Sequence, residues 1–346
     1  MKKGKILLLA LGHGLNDCIA GFFLGSLALV EMKPLQIGMA VTVYNLLAFG
    51  GQYPVALWLE KSSSPKKFLL TACSLNACAV IIFYFSVPSA ILFAGIASAI
   101  YHVAGGAACV QKNKATNIGV FASPGVLGLI GGGLLAWSHV NILWMLLLMS
   151  ILFLFLVSRL RFNVKPGAEK AVSGKPLQPV PEKHDLIMIL LLMVISLRSV
   201  VWNIFQLIHE NDFTWLIAIA ASAFAGKLAG GWIADRMGWR IYAIASAVIS
   251  MPLLTFFKKE IVLFCIGIGV LQSGIPATTS LLIQNLDGKA ARGIGLSFGT
   301  AIILGATGSL FPQQILLQQL PVILTAIVLI LLFYLYQKPG KMHRLV

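Results

Sequence analysis

Only 11 of the 346 residues are acidic, against 26 Lys and Arg, and charged types together make up 11% of the chain. An average soluble protein carries roughly 25%. So little charge excludes a disordered chain and nearly every soluble globular one. Cysteine is also scarce. The five (Cys18, Cys73, Cys78, Cys109 and Cys265) fall inside apolar runs and form no C-x-x-C spacing. Neither a disulfide framework nor a bound metal is therefore expected. There is no H-E-x-x-H, no G-x-S-x-G, no phosphate loop and no pair of mid-membrane carboxylates. That argues against an intramembrane enzyme, and no cofactor or ATP-driven step is expected.

Apolar residues are abundant instead, at 58% of the chain, with a mean hydropathy of +0.90. The 33 Gly and 14 Pro argue against a coiled coil. A span takes about 20 apolar residues, so the length suffices for a dozen. The apolar runs predict helices at 5–30, 36–59, 66–86, 88–111, 115–137, 141–160, 186–208, 213–234, 238–257, 261–284, 291–311 and 319–337. The apolar start of the chain continues through Asp17 and reads as an uncleaved first span. The class is thus an all-α membrane protein with 12 transmembrane helices in two six-helix halves.

The net charge of +15 suggests membrane topology rather than nucleic acid. Of the 26 basic residues, 21 fall in the termini and in the loops after helices 2, 4, 6, 8 and 10. Only Lys33, Lys258 and Lys259 fall in the opposite loops. By the positive-inside rule both termini are expected in the cytoplasm. The Pro- and Gly-containing stretch 162–185 reads as a cytoplasmic linker between halves at 1–161 and 186–346.

An offset of 175 residues relates the halves. It aligns Glu60-Lys61 with Asp235-Arg236, Lys114-Ala115 with Lys289-Ala290, and Gly133 with Gly308. Parallel six-helix repeats are one plan of secondary transporters.

The stretch GGWIADRMGWR (230–240) resembles the cytoplasmic signature of the major facilitator superfamily. Gly231, Asp235, Arg236, Gly238 and Arg240 stand in it. The resemblance implies close helix approach at the Gly, a capping or bridging acid, and basic residues locking a cytoplasmic gate. The first-half copy is degraded: Ala56 stands where Gly is usual, and Glu60-Lys61 leads into SSSPKK. Its lock is therefore in question. SPGVLGLIGGG (123–133) is similar to a fifth-helix motif of exporters. GHGLNDCIAGFF (12–23) and SAIYHVAGGAA (98–108) resemble the fosmidomycin-resistance-type efflux branch, through His13, Asn16, Asp17 and His102. The usual Pro and acid after that last His are replaced by Val103 and Ala104.

A charge at a helix centre costs roughly 2.5–3.5 kcal/mol on insertion scales, so Asp17, Arg198 and Lys227 must face water or one another. The family fold implies that helices 1, 4, 7 and 10 line a central cavity. Asp17, His102, Arg198 and Gln272 lie on those helices. Asp17 with His13, four residues apart on one face, suits a proton-coupling site with H+ as the coupling ion. A fixed bridge between helices is the other reading. Arg198 suits anion recognition, or a permanent pairing with Asp17. Lys227 is a substrate contact or a snorkelling side chain. His102, Asn16, Trp202, Asn203, Gln206 and Gln272 complete the candidate substrate contacts.

Two permanent cations against one acid favour an anionic or amphipathic cargo. The expected protein is a secondary active transporter working by alternating access, with proton-coupled efflux ahead of uptake. A non-transporting receptor or assembly factor on the same scaffold is the alternative. The expected setting is a bacterial inner membrane. The expected partners are a small-molecule substrate and the bilayer, with no nucleic acid, for a monomeric protein.

Overall fold

A computed structural model describes residues 3–29, 32–62, 64–110, 114–162, 183–209, 212–306 and 313–336. Twelve helices cover most of them. The first half comprises α1 (Lys3–Ser26), α2 (34–62), α3 (Pro65–Phe83), α4 (Val87–Cys109), α5 (Ala115–Trp137) and α6 (Leu143–Arg159). The second comprises α7 (Lys183–Ile208), α8 (Phe213–Met237), α9 (Trp239–Phe256), α10 (Ile261–Asn285), α11 (290–306) and α12 (Gln313–Tyr336). Most of the expected linker, 163–182, lies outside the described residues.

Among the described residues, nine of these helices are long and apolar enough to cross a membrane unbroken. α6 is a shorter apolar helix. α2 and α11 are interrupted by π turns, at Leu46–Gly50 and Gly295–Thr300. Such turns are frequent at functional sites. The two approach each other: a Cβ added at Gly299 would lie 2.6 Å from both the Phe49 carbonyl and the Gln52 Cβ. Periodicity carries no trace of a π turn, so the sequence predicted both helices as unbroken.

Small residues let backbones touch within each half. On α1, a Cβ at Gly21 would strike the Leu129 carbonyl of α5. A Cβ at Gly128 would strike the Gly14 carbonyl in return. Gly226 and Gly230 of α8 do the same against Gly269 and Ser273 of α10. Between the halves, α5 meets α8, where Gly231 lies against Ala115 and Gly119 against the Lys227 carbonyl. Another inter-half seam is α2 against α11. Near it the first-half core takes in Ile283, Ala291, Ile294 and Phe298 from the second half.

The offset of 175 read in the sequence reappears here. α5 begins at Ala115 and α11 at Ala290. Gly238, at φ 91°, supplies the left-handed residue that turns α8 into α9.

Candidate functional site

One cavity of about 320 Å³ lies between the halves. Its walls come from α1, α2, α4, α5, α7, α8, α10 and α11; among the described residues none comes from α3, α6, α9 or α12. Burial of His13, Asn16, His102, Arg198 and Gln272 follows from this placement, because they turn to the cavity or to a neighbouring helix.

On the first-half wall, α1 carries His13 and Asp17 one turn apart, and α4 brings His102 against them. His13 Nε2 lies 3.2 Å from Asp17 Oδ2, and His102 Nε2 lies 3.6 Å from Asp17 Oδ1. The two Nε2 atoms are 2.9 Å apart. His13 Nδ1 is 2.7 Å from the Phe121 carbonyl, and His102 Nδ1 is 2.8 Å from the Ser98 carbonyl. A carbonyl only accepts, so both Nδ1 atoms carry hydrogens and donate. Ser98 Oγ is farther from His102 Nδ1, at 3.2 Å, and does not reverse that assignment. In neutral rings both Nε2 lone pairs then face each other. They require an electrophile between them, and Asp17 supplies the balancing negative charge.

The sequence placed Asn16 among the substrate contacts; its geometry assigns it another role. Asn16 is 2% exposed and absent from the cavity wall. Its amide donates to Asp17 Oδ1 at 2.9 Å and to Ser98 Oγ at 3.3 Å. It accepts from Asn76 of α3 at 3.0 Å. Asn16 therefore orients the carboxylate and ties α1 to its neighbours.

Gly125 of α5 makes room for the cluster. A Cβ there would lie 2.5 Å from Asp17 Oδ2 and 2.7 Å from His13 Nε2. Pro124 beside it has no amide hydrogen, which frees the Val120 carbonyl for Ser123 Oγ at 3.3 Å.

On the second-half wall stand Arg198, Trp202, Asn203 and Gln206 of α7, Lys227 of α8 and Gln272 of α10. Arg198 is 1% exposed. Its guanidinium donates to three neutral oxygens: Thr278 Oγ1 at 3.3 Å, the Ala243 carbonyl at 3.2 Å and Ser246 Oγ at 3.3 Å. Its Nε has no hydrogen-bond partner. The permanent Asp17–Arg198 pair that the sequence allowed is absent, because Asp17 faces the two histidines. Lys227 lines the cavity rather than snorkelling to the surface. Among the described residues no carboxylate forms an ion pair with either cation.

At the end where α1 begins, two acids cross between the halves. Asp235 Oδ1 accepts from the Ala115 amide at 2.8 Å. Its Oδ2 accepts from the Thr116 amide at 3.0 Å and from Thr116 Oγ1 at 2.6 Å. It thereby caps the N-terminus of α5, where a negative charge also meets the positive end of the helix dipole. Trp239 Nε1 steadies it at 2.9 Å. In the first half Glu60 Oε2 pairs with Arg292 Nε of α11 at 2.7 Å. The degraded copy thus still places an acid against the matching helix.

The signature's basic residues stay within their own half. Arg236 lies 3.6 Å from the centroid of the Trp232 ring, and Arg240 lies 5.1 Å from that of Tyr334. Lys61 is exposed.

Sequence reasoning missed Phe49, Ser199, Ser297 and Phe298 on the cavity wall. Asn45 of α2 lies on that wall too. The Gly pairs at 50–51 and 295–299 are the one available sequence signal, since they mark the two π turns.

The family model of the Major Facilitator Superfamily matches residues 6–312. No curated protein matches the chain. Among solved structures, a variant of the E. coli fucose:proton symporter FucP superposes with a TM-score of 0.70 at 14% identity. That match covers 95% of this chain and 96% of the other. FucP in the outward conformation gives a TM-score of 0.72 at 12% identity, covering 96% and 99%. A bacterial homologue of the iron transporter ferroportin, in its outward-facing state, gives 0.61 at 12%, covering 96% and 98%. At these identities the likeness is one of fold.

Proposed function

The chain belongs to the major facilitator superfamily, and on that premise we propose that it is a secondary active transporter of a small organic anion, coupled to protons. The observation that carries this reading is the central cavity, whose walls come from both halves. Arg198 and Lys227 border it with no ion-pair partner among the described residues. Two cations held away from bulk water favour an anion that enters the cavity, and the Arg198 fork suits a carboxylate or phosphate.

Asp17 and His13, with His102, are the proposed proton-coupling group. Their electron pairs converge at the cavity wall, where a proton arriving from solvent reaches them. Trp202, Asn203, Gln206 and Gln272 are the proposed neutral contacts to the cargo. Asp235 and Glu60 are the proposed gate at the cytoplasmic end, so this state holds that end shut. The fucose symporter is named as proton-coupled, and a proton-driven cycle here is consistent with that likeness. The helix-5 motif and the branch resemblance favour efflux across a bacterial inner membrane.

Binding tests the reading directly. The purified chain is titrated with carboxylates, phosphonates, sugar phosphates and cationic amphiphiles, read by calorimetry and by the tryptophan fluorescence that Trp202→Phe removes in part. An anion is expected to bind, and Arg198→Gln to weaken it about 10- to 100-fold, as for a lost charge-assisted hydrogen bond. Binding of cationic amphiphiles alone would contradict the anion assignment.

A further inference from the structure

The cysteine spacing along the sequence predicted no metal. The structure supplies a ligand set from residues far apart in the chain, His13 and His102 being 89 positions apart. His13 Nε2, His102 Nε2 and a carboxylate oxygen of Asp17 all lie within 4.8 Å of one another. His13 Nε2 lies 2.9 Å from His102 Nε2 and 3.2 Å from Asp17 Oδ2, and His102 Nε2 lies 3.6 Å from the other carboxylate oxygen, Oδ1. A tetrahedral ion with bonds of about 2.0–2.1 Å sets its ligand atoms about 3.3 Å apart, so each imidazole nitrogen lies close to that spacing from the other and from its nearer carboxylate oxygen.

The atoms behind the donors are arranged as metal ligands require. Each imidazole donates its other nitrogen's hydrogen to a backbone carbonyl, Phe121 for His13 and Ser98 for His102. The carboxylate is fixed by the Asn16 amide. Such partners set the tautomer and aim the free nitrogen at a metal. A proton shared between the two Nε2 atoms satisfies one line of approach. It leaves the Asp17 oxygens at 3.2 and 3.6 Å without a role in that bond, although they point to the same place. A metal ion satisfies all three donors at once.

We propose that His13, Asp17 and His102 form a binding site for a divalent transition-metal ion, open to the central cavity. Three protein ligands leave coordination positions free, as exchangeable rather than purely structural sites do. Two imidazoles and one carboxylate suit Zn2+, Fe2+, Mn2+ or Co2+ over Ca2+ or Mg2+. The free positions face the cavity that Arg198 and Lys227 border. An oxygen of the anionic cargo would complete the coordination there. This last step rests on the transport reading above; the metal site itself does not.

The test uses the full, tag-free chain in detergent or nanodiscs. Co2+ is titrated and followed by its visible absorption, with Zn2+ as competitor. Pulsed electron paramagnetic resonance of the Cu2+-loaded chain counts the coordinated imidazoles. The expected result is one Co2+ per chain, displaced by Zn2+, with two imidazoles on the copper. His13→Gln, His102→Gln and Asp17→Asn should each weaken binding by more than about tenfold. The wild-type spectrum needs no variant, so a misfolded mutant leaves the test intact. No saturable Co2+ binding, or binding without imidazole coupling, would overturn the site. That result would leave anion binding at Arg198 standing, because the anion titration is run in chelator-treated buffer.

Discussion

Asp17 is held by three partners in its own half, and Arg198 by three neutral oxygens in the other half. This separation leads to different outcomes for the two residues. Asp17→Asn removes the charge but keeps the shape, so it should abolish proton-coupled transport while leaving the protein folded. Arg198→Lys keeps the charge and loses the planar fork, so it should bind anion better than Arg198→Gln and worse than wild type. Gly125→Ala should disrupt the cluster, because its Cβ falls 2.5 Å from Asp17 Oδ2. Gly131→Ala is the control, with nothing within 4 Å of its added Cβ. A transport assay on the pair should find the first inactive and the second normal. At this scale the sequence named the residues but not which of them meet. The placement of His13 beside Asp17 was legible from helical spacing. The approach of His102 from α4 was not, because rotation of one helix about its axis leaves no mark in periodicity. The placement of Asn16 was unmarked for the same reason: it lies next to Asp17 in sequence but faces α3 and α4 rather than the cavity.

Two acids at matching places in the repeat each meet the start of the opposite half's fifth helix. Asp235 caps α5 through backbone amides, whereas Glu60 pairs with a side chain on α11. Losing a helix cap costs about 1–2 kcal/mol. Asp235→Ala should therefore shift the balance between closed and open forms of this end by about 5- to 30-fold. Spin labels at exposed Lys61 and Lys289 would read it as a longer distance population in the variant than in wild type. An unchanged distance distribution would show that the cap does not hold this end closed. The helices themselves were legible: apolar length and Pro or Gly breaks gave all twelve, with ends shifted by a few residues. The interruptions in α2 and α11 were not, because a π turn leaves the apolar length and periodicity intact and the Gly pairs beside it are common in spanning helices.

The whole molecule depends on the asymmetry between its two ends and on the cavity between its two walls. In the sequence 21 of the 26 basic residues belong to the termini and to loops of one side, which the positive-inside rule assigns to the cytoplasm. Reporter fusions at both termini should report a cytoplasmic location; an external signal from either would overturn the orientation. The two-half plan was legible in the offset of 175 residues, since loops and helix starts repeat at one interval. The division of labour between the walls was not, because neither Asp17 nor Arg198 has a counterpart in the other half at that offset. The central claim is that anion movement and proton movement are one process in this cavity. Vesicles holding the purified protein and a pH-sensitive dye test it most directly, with an imposed proton gradient and an anion that binds in the titration. Anion-triggered proton flux, absent in Asp17→Asn and reduced in Arg198→Gln, is the predicted result. Anion movement with no accompanying proton flux, or equal flux in all three proteins, would contradict the account.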